Sequence, residues 1–353
     1  MSIHILNSRI YRDDIRRVAE LDLPWRALAN TTLVLSGASG MIGSFLVDVL
    51  MAHNTNGLNC TIHALARDLA GMTARFAPYE GHPNLKMTSV DLNGNPLDFD
   101  QGDWVIHAAS NTHPLTYSQD PIGTITTNVH GTFSMLDLAA RTEASRTLFL
   151  STVEIYGDNR SGIERFTETD MGYIDCNTLR AGYPESKRTG EALCQAFSVH
   201  HSRDVVIPRL PRVFGPTMKL NDSKALSQFL LKAVAGENIV LKSEGNQYFS
   251  YLHVGDVVSG ILTCLFLGGC RQAYNLAHPS GDIHLKDLAA KVAGKAGLEV
   301  VFELPSEAER AGYSVASRAV MDGGKMADLG WKPLFDLDEG IERTIAILRE
   351  ITS

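Results

Sequence analysis

The tightest constraint on this 353-residue chain is a cluster of three glycines set between a short aliphatic run and a stretch of helical periodicity. Thr32–Leu35 (TLVL) reads as a strand, and Met41–Ala52 repeats its apolar residues at helical spacing. Between them stands Ser36-Gly37-Ala38-Ser39-Gly40-Met41-Ile42-Gly43. A glycine loop that opens a helix presents bare backbone N–H groups, backed by the positive end of the helix, to an anion. Gly37 permits the tight turn, Gly40 clears the path to a pyrophosphate, and Gly43 lets helix and strand pack closely. The spacing is G-x-x-G-x-x-G rather than the commoner G-x-G-x-x-G. Its position after the first strand predicts a dinucleotide site, with Ser39, Met41 and Ile42 as further loop contacts.

The rest of the first 214 residues supports that placement. Thr61–Leu65, Leu85–Val90, Trp104–Ala108, Thr147–Ser151 and Val205–Leu210 read as strands, and Thr126–Ala140 and Glu185–His200 as helices. Strands alternating with helices at this spacing predict an α/β fold, a doubly wound parallel sheet of Rossmann type. Residues 10–21 have helical spacing and predict a short surface helix within an N-terminal extension, 1–31. After residue 214 the rhythm loosens and Pro, Gly and polar residues increase. Residues 32–214 therefore read as a dinucleotide-binding domain. Residues 215–353 read as a smaller α+β substrate-binding domain with segments that return to the first.

Composition excludes several classes. A net charge of -8, from 40 Asp+Glu against 32 Lys+Arg, gives no basic footprint for nucleic acid. The longest apolar run, Gly260–Gly269, is too short to cross a bilayer and reads as a buried helix. The N-terminus lacks the apolar core of a signal peptide. Five scattered cysteines, with no C-x-x-C pair, fit neither zinc site nor disulfide framework and read as buried free thiols in a cytoplasmic protein. No His or acidic spacing, His107 and His113 included, makes a metal site.

Two features carry chemistry beyond the glycine loop. The second strand ends Ala64-Leu65-Ala66-Arg67-Asp68, without the acid that would accept the ribose hydroxyls of NAD. Arg67 there leans the reading toward NADP, and Asp68 could partly restore ribose binding. Tyr183-Pro184-Glu185-Ser186-Lys187 opens a helix and puts a phenol and an ammonium on one face, four residues apart. An ammonium beside a phenol favours phenolate and predicts a lowered tyrosine pKa, hence a base. Pro184 is tolerated only in a helix's first turn, so Tyr183 must lie at the helix start. Thr152 should sit at the carboxyl end of the preceding strand, where open α/β sheets bind ligands.

With these residues in view, the chain resembles the extended short-chain dehydrogenase/reductases, the epimerases, dehydratases and decarboxylases of nucleotide sugars. The resemblance runs from about Thr32 to the C-terminus. It includes Val90-Asp91-Leu92 near the adenine, Ile106-His107-Ala108-Ala109 beneath the cofactor, Arg209…Phe214-Gly215-Pro216, and His253-Val254-Gly255-Asp256-Val257. Ala109–Tyr117, Asp120-Pro121 and Thr127–Thr132, with Thr152-Val153-Glu154, are most similar to UDP-glucuronate decarboxylases. The resemblance implies cofactor contacts at Asp91, Leu92, Ala108, Ala109, Ser110, Asn128, Tyr183 and Lys187. It implies substrate contacts at His113, Pro114, Tyr117, Arg212, Lys219 and Phe249, and a floor under the sugar formed by Tyr156-Gly157. It also implies a bound NAD or NADP that is recycled, and a homodimer through a four-helix bundle.

The implied reaction begins with Tyr183 taking the proton of a sugar 4-hydroxyl while C4 gives up hydride. Thr152 holds the same oxygen, Lys187 binds the ribose and tunes Tyr183, and Glu154 moves protons at C5. The chain departs from the family in two places that touch chemistry. Val153 stands where dehydratases place an acidic Asp. Phe249 stands where close relatives carry the arginine that grips the diphosphate. Arg212, where relatives have an Asn facing the diphosphate, either supplies the missing charge or serves as a structural ion-pair partner. Alternatives on the same fold are a 4-epimerase, a 4,6-dehydratase, an NADPH-consuming reductase of a 4-keto sugar or polyol, and a non-catalytic protein.

Overall fold

The computed structural model describes residues 3–94, 97–111, 119–303 and 317–352. Its central layer is built from β1 (Thr32–Ser36), β2 (Thr61–Ala66), β3 (Leu85–Ser89), β4 (Trp104–His107), β5 (Arg146–Phe149), β7 (Val205–Leu210) and β11 (Ala273–Asn275). They lie in the order β11-β7-β5-β4-β1-β2-β3, with β6 (Ser151–Thr152) beside β7, and every neighbouring pair is parallel. The order reverses between β1 and β4, which opens a crevice at their carboxyl ends.

The helices are α1 (Arg9–Ala19), α2 (Met41–Thr55), α3 (Leu69–Arg75), α4 (Pro121–Arg141), α5 (Gly182–His201), α6 (Ala225–Ala235), α7 (Val254–Leu267), α8 (Leu285–Ala296), α9 (Gly324–Asp328) and α10 (Leu337–Thr352). All five residues of β1 are buried, as expected of a strand covered on both faces. Leu33 and Leu35 join the core made with α1, α2 and α7, while Val34 points the other way into the core under α4. This period of two is the strand's own geometry, and it divides the helices into two layers.

After Leu210 the chain leaves the sheet. β8 (Arg212–Phe214) pairs parallel with β10 (Tyr248–His253), which also pairs with β12 (Asp282–His284) and β14 (Arg318–Ala319). β9 (Ile239–Leu241) pairs with β13 (Val300–Phe302). This smaller layer shares a second apolar core with α6, α8 and α10. α7 and β11 return to the first layer, so the chain crosses between the two layers repeatedly.

The N-terminal helix is anchored to one helix of each layer. Tyr11 is fully buried and donates to Asp48 Oδ2 of α2 at 2.5 Å, and Asp14 pairs with Arg343 of α10 at 2.5 Å. The cysteines divide: Cys60, Cys194 and Cys264 are buried, but Cys176 and Cys270 are exposed because they lie in loops rather than on packed faces. None of the five forms a disulfide. No helix among the described residues is long and apolar enough to cross a membrane.

Candidate active site

The glycine loop folds as its spacing requires. Gly37 has φ +73°, and a Cβ there would lie 2.7 Å from the Ala108 carbonyl carbon and the Ala109 nitrogen. A Cβ on Gly43 would meet the Gly37 carbonyl at 2.3 Å, so this position sets how closely α2 approaches β1. Gly40 is the N-cap of α2 and brings no side chain to cap it. The first N–H groups of the helix, from Met41, Ile42 and Gly43, are left for an outside acceptor. This cradle fits a dinucleotide pyrophosphate.

A cleft of about 160 Å³ continues from the loop, over the ends of β1, β2 and β4, and takes in Ser39, Asp91, Leu92, Ala108, Ala109 and Ser110. Arg67 borders the cleft and donates through Nη2 to Asn111 Oδ1 at 2.9 Å. Asp68 caps α3, its Oδ1 accepting from Gly71 N at 2.9 Å, and its carboxylate is exposed. His107, buried below, bonds Ser36 Oγ at 2.7 Å, and burial pushes its pKa down to about 3, so it is a neutral structural imidazole. Among the described residues no cluster could hold a metal ion.

Tyr183 lies in the first turn of α5, with Pro184 after it where the missing N–H is one of the helix's orphans. Its phenol is buried and hydrogen-bonded to the side chains of Thr152 and Ser110. Thr152 ends β6, and its Oγ1 accepts from Glu154 N at 3.3 Å. Glu154 pairs with Arg180 at 2.6 Å, just before α5 begins. The expected lowering of the tyrosine pKa is not what the structure has. Burial pushes it up first, and the Glu154 charge adds to that. Lys187 is buried on the same helix and donates from Nζ to the Leu150 carbonyl at 2.9 Å. Burial lowers its own pKa to about 8.

The departures at Arg212 and Phe249 are in contact. β8 pairs with β10, and the Arg212 guanidinium carbon stands 3.3 Å over the Phe249 ring centre. No carboxylate among the described residues forms an ion pair with Arg212, and its Nη1 is buried without a hydrogen-bond partner. Burial, the larger effect, lowers its pKa while the Glu154 charge opposes this. Tyr156 does not form a substrate floor: it is fully buried, donating to Asn275 Oδ1 at 2.6 Å and accepting from Arg209 at 2.9 Å. Val153 is turned into the apolar core of the smaller layer. Lys219 is exposed in the loop after β8, and His113, Pro114 and Tyr117 lie outside the described residues. Arg180 was missing from the residues expected by sequence. A lone arginine in a turn carries no periodic signal.

A doubly wound sheet, an anion cradle at its first strand-to-helix turn, and a buried tyrosine–lysine pair at its carboxyl edge define an enzyme of the short-chain dehydrogenase/reductase type. Residues 33–277 match the model of the NAD dependent epimerase/dehydratase family, and the chain belongs to that family. It is 30% identical over 321 residues to UDP-glucuronic acid decarboxylase 1 of Xenopus tropicalis, covering 90% of this chain and 72% of that protein. It is likewise 30% identical over 317 residues to UDP-glucuronic acid decarboxylase 6 of Arabidopsis thaliana, covering 89% and 87%. Among solved structures, the UDP-glucose 4-epimerase of Thermotoga maritima superimposes with a TM-score of 0.77 at 19% identity, covering 92% and 100%. These likenesses support the Rossmann-type fold.

Proposed function

We propose that the protein modifies a nucleotide-linked sugar by transient oxidation at C4, and that its substrate is UDP-glucuronate, decarboxylated to a UDP-pentose. The observation that carries this reading is the convergence of Tyr183, Thr152, Glu154 and Lys187 at the carboxyl edge beside the glycine cradle. The glycine cradle and Lys187 would hold NAD, which would supply a reversible hydride acceptor for C4. The remaining work belongs to side chains. Tyr183 and Thr152 hold the 4-oxygen, and Tyr183 accepts its proton and later gives it back. Lys187 holds the ribose. A 4-keto sugar with a C5 carboxylate is a β-keto acid and loses carbon dioxide without an acid to protonate a leaving hydroxyl. Val153, buried in the core, has no proton to give, which favours this outcome over 4,6-dehydration. Glu154, held by Arg180, would supply the proton that replaces the carboxylate.

Phe249 and Arg212 act as one unit at the diphosphate. The Phe249 ring stacks on the guanidinium, and the buried Nη1, which has no hydrogen-bond partner, would meet the anion, so the positive charge would come from β8 rather than β10. Lys219, exposed in the loop after β8, would meet the base. Arg67 supports a second cofactor reading, NADP, because the acid expected at the end of β2 is absent and Asp68, the nearest acid, caps α3 with one oxygen. We further place the protein in the cytoplasm as a homodimer. Incubation with UDP-glucuronate, without added cofactor, should give a UDP-pentose by mass spectrometry, and Tyr183→Phe should abolish it. Stoichiometric oxidation of added NADPH with no carbon dioxide released would establish the reductase instead.

A further inference from the structure

Three consecutive residues of the segment that carries Thr152 are held by one face of α5. Lys187 Nζ donates to the Leu150 carbonyl at 2.9 Å, Glu191 Oε1 accepts from Ser151 Oγ at 2.5 Å, and the Tyr183 phenol bonds the Thr152 side chain. Positions 183, 187 and 191 lie about one turn apart, so the three contacts form a ladder along the helix. Glu191 is clamped in turn. Its Oε1 accepts from Arg209 Nε at 3.0 Å and its Oε2 from Arg209 Nη2 at 2.7 Å, a fork that gives the carboxylate one orientation. Arg209 is the residue of β7 that pairs in register with Ser151, so both side chains leave the sheet toward α5. Its Nη1 is also held, donating to Tyr156 Oη at 2.9 Å and to the Glu168 carbonyl at 2.8 Å. Ser151 and Arg209 are both buried.

β6 has only two residues, and two ladder pairs, Ser151 with Arg209 and Thr152 with Leu210, join it to β7. So short a strand has little of its own to fix it. Of the three rungs on α5, Tyr183 and Lys187 serve the substrate and the cofactor, and Glu191 serves neither. We propose that Glu191 is a positioning residue that, through Ser151, holds Thr152 in line with the Tyr183 phenol and the sugar 4-oxygen. A carboxylate only accepts, so the Ser151 proton is committed to it and the serine cannot turn away. With Ser151 fixed, Thr152 Oγ1 accepts from Glu154 N at 3.3 Å and keeps its own proton for the reacting oxygen. That direction suits a base, because a hydroxyl that donates to the phenol oxygen favours phenolate. The inference rests on the Tyr183–Thr152 site proposed above, and one arm of its test needs no turnover.

Ser151→Ala removes the hydroxyl and leaves the Glu191–Arg209 fork intact. Thr152 then loses its anchor, and the Glu154 N–H, whose acceptor is Thr152 Oγ1, should exchange its hydrogen about 10-fold faster in the NAD-loaded protein, the worth of one hydrogen bond. The amides of β7 should keep the parent's protection. Ser151→Thr retains the hydroxyl and should match the parent. With UDP-glucuronate, Ser151→Ala should lower kcat about 10- to 100-fold while KM stays within about twofold. In a Thr152→Val background the same change should alter kcat by less than about twofold, because no hydroxyl is left to position. If Ser151→Ala does not fold, Ser151→Cys, with a weak donor in place of the hydroxyl, should shift the Glu154 exchange the same way. A folded variant whose Glu154 amide exchanges as in the parent, or whose β7 amides speed up equally, overturns the proposal. A kcat loss that multiplies with that of Thr152→Val overturns it too, as a merely structural role would give. Faster Glu154 exchange in a protein whose parent does not turn over UDP-glucuronate upholds it and removes only the substrate assignment.

Discussion

Arg212 and Phe249 show how two departures from a family pattern become one arrangement. Separately, each reads as a loss: an aromatic where a cation grips phosphate, and a cation where relatives have an amide. Strand pairing between β8 and β10 brings them within 3.3 Å, and a stacked guanidinium keeps its edge free for an anion. Arg212→Met should therefore raise KM for the nucleotide sugar about 10- to 100-fold, the worth of about 1.5–3 kcal/mol for a charge-assisted hydrogen bond. The NAD affinity should not change. Arg212→Lys should restore little, since an ammonium neither stacks in plane nor reaches two oxygens. An unchanged KM in Arg212→Met would make the arginine purely structural. Sequence gave no way to choose between these roles, because the choice depends on which neighbours lie across the strands. The tyrosine pKa failed for the same reason. Spacing fixed the Lys187 distance along the helix, while burial and Glu154, which arrive from elsewhere, set the direction.

At the level of elements, six strands of the central sheet were legible to within two residues, because most are aliphatic runs covered by helices, whereas the short β11 was not read at all. Helix starts were uneven: α2 begins at Met41 as read, but others do not. α4 begins at Pro121, five residues before the expected start, with Asp120 capping Gly123 N at 2.9 Å and proline at the first position. Those two residues are a start signal that apolar periodicity alone overlooks. The first turn of α7 carries a consequence for stability. Asp256 accepts from the backbone of Leu334 at 2.5 Å and Phe335 at 3.2 Å, tying α7 to the approach to α10, but its Oδ2 is buried without a partner. Burial raises its pKa from 3.8 to about 7. A carboxyl that is harder to ionise when folded binds a proton on folding, so stability falls as pH rises between 3.8 and about 7. Asp14 in α1, raised to about 6 by burial, has the same sign. Asp256→Asn keeps the carbonyl acceptor and cannot ionise. Its Tm should be flatter with pH than the parent's between pH 4 and 7, since Asp14 contributes equally to both proteins; parallel curves would refute the assignment.

Over the whole molecule, the alternation of strands and helices was readable because each crossover returns to one sheet, whereas the smaller layer is assembled from segments far apart in sequence. β8, β10, β12 and β14 span residues 212–319, and no local pattern announces that they pair. The outer surface of the first layer points to a further level of assembly. α4 and α5 pack against each other over the sheet, and this uses their inward faces. Their outward faces still carry Ile122, Ile125 and Phe133 on α4, and Ala192, Ala196 and Val199 on α5, at helical spacing. Phe133 is 55% and Val199 64% exposed. A stripe of this kind on two adjacent helices is self-complementary under a two-fold axis, which would close it into a four-helix arrangement. Light scattering should give twice the chain mass for the parent protein. Phe133→Glu combined with Val199→Glu should give a monomer, because four carboxylates would be buried together across the axis without partners. The monomer should still bind NAD, since the glycine cradle lies at β1 and α2 and uses neither residue. A parent protein that is monomeric at micromolar concentration would leave this stripe without a dimer to explain it.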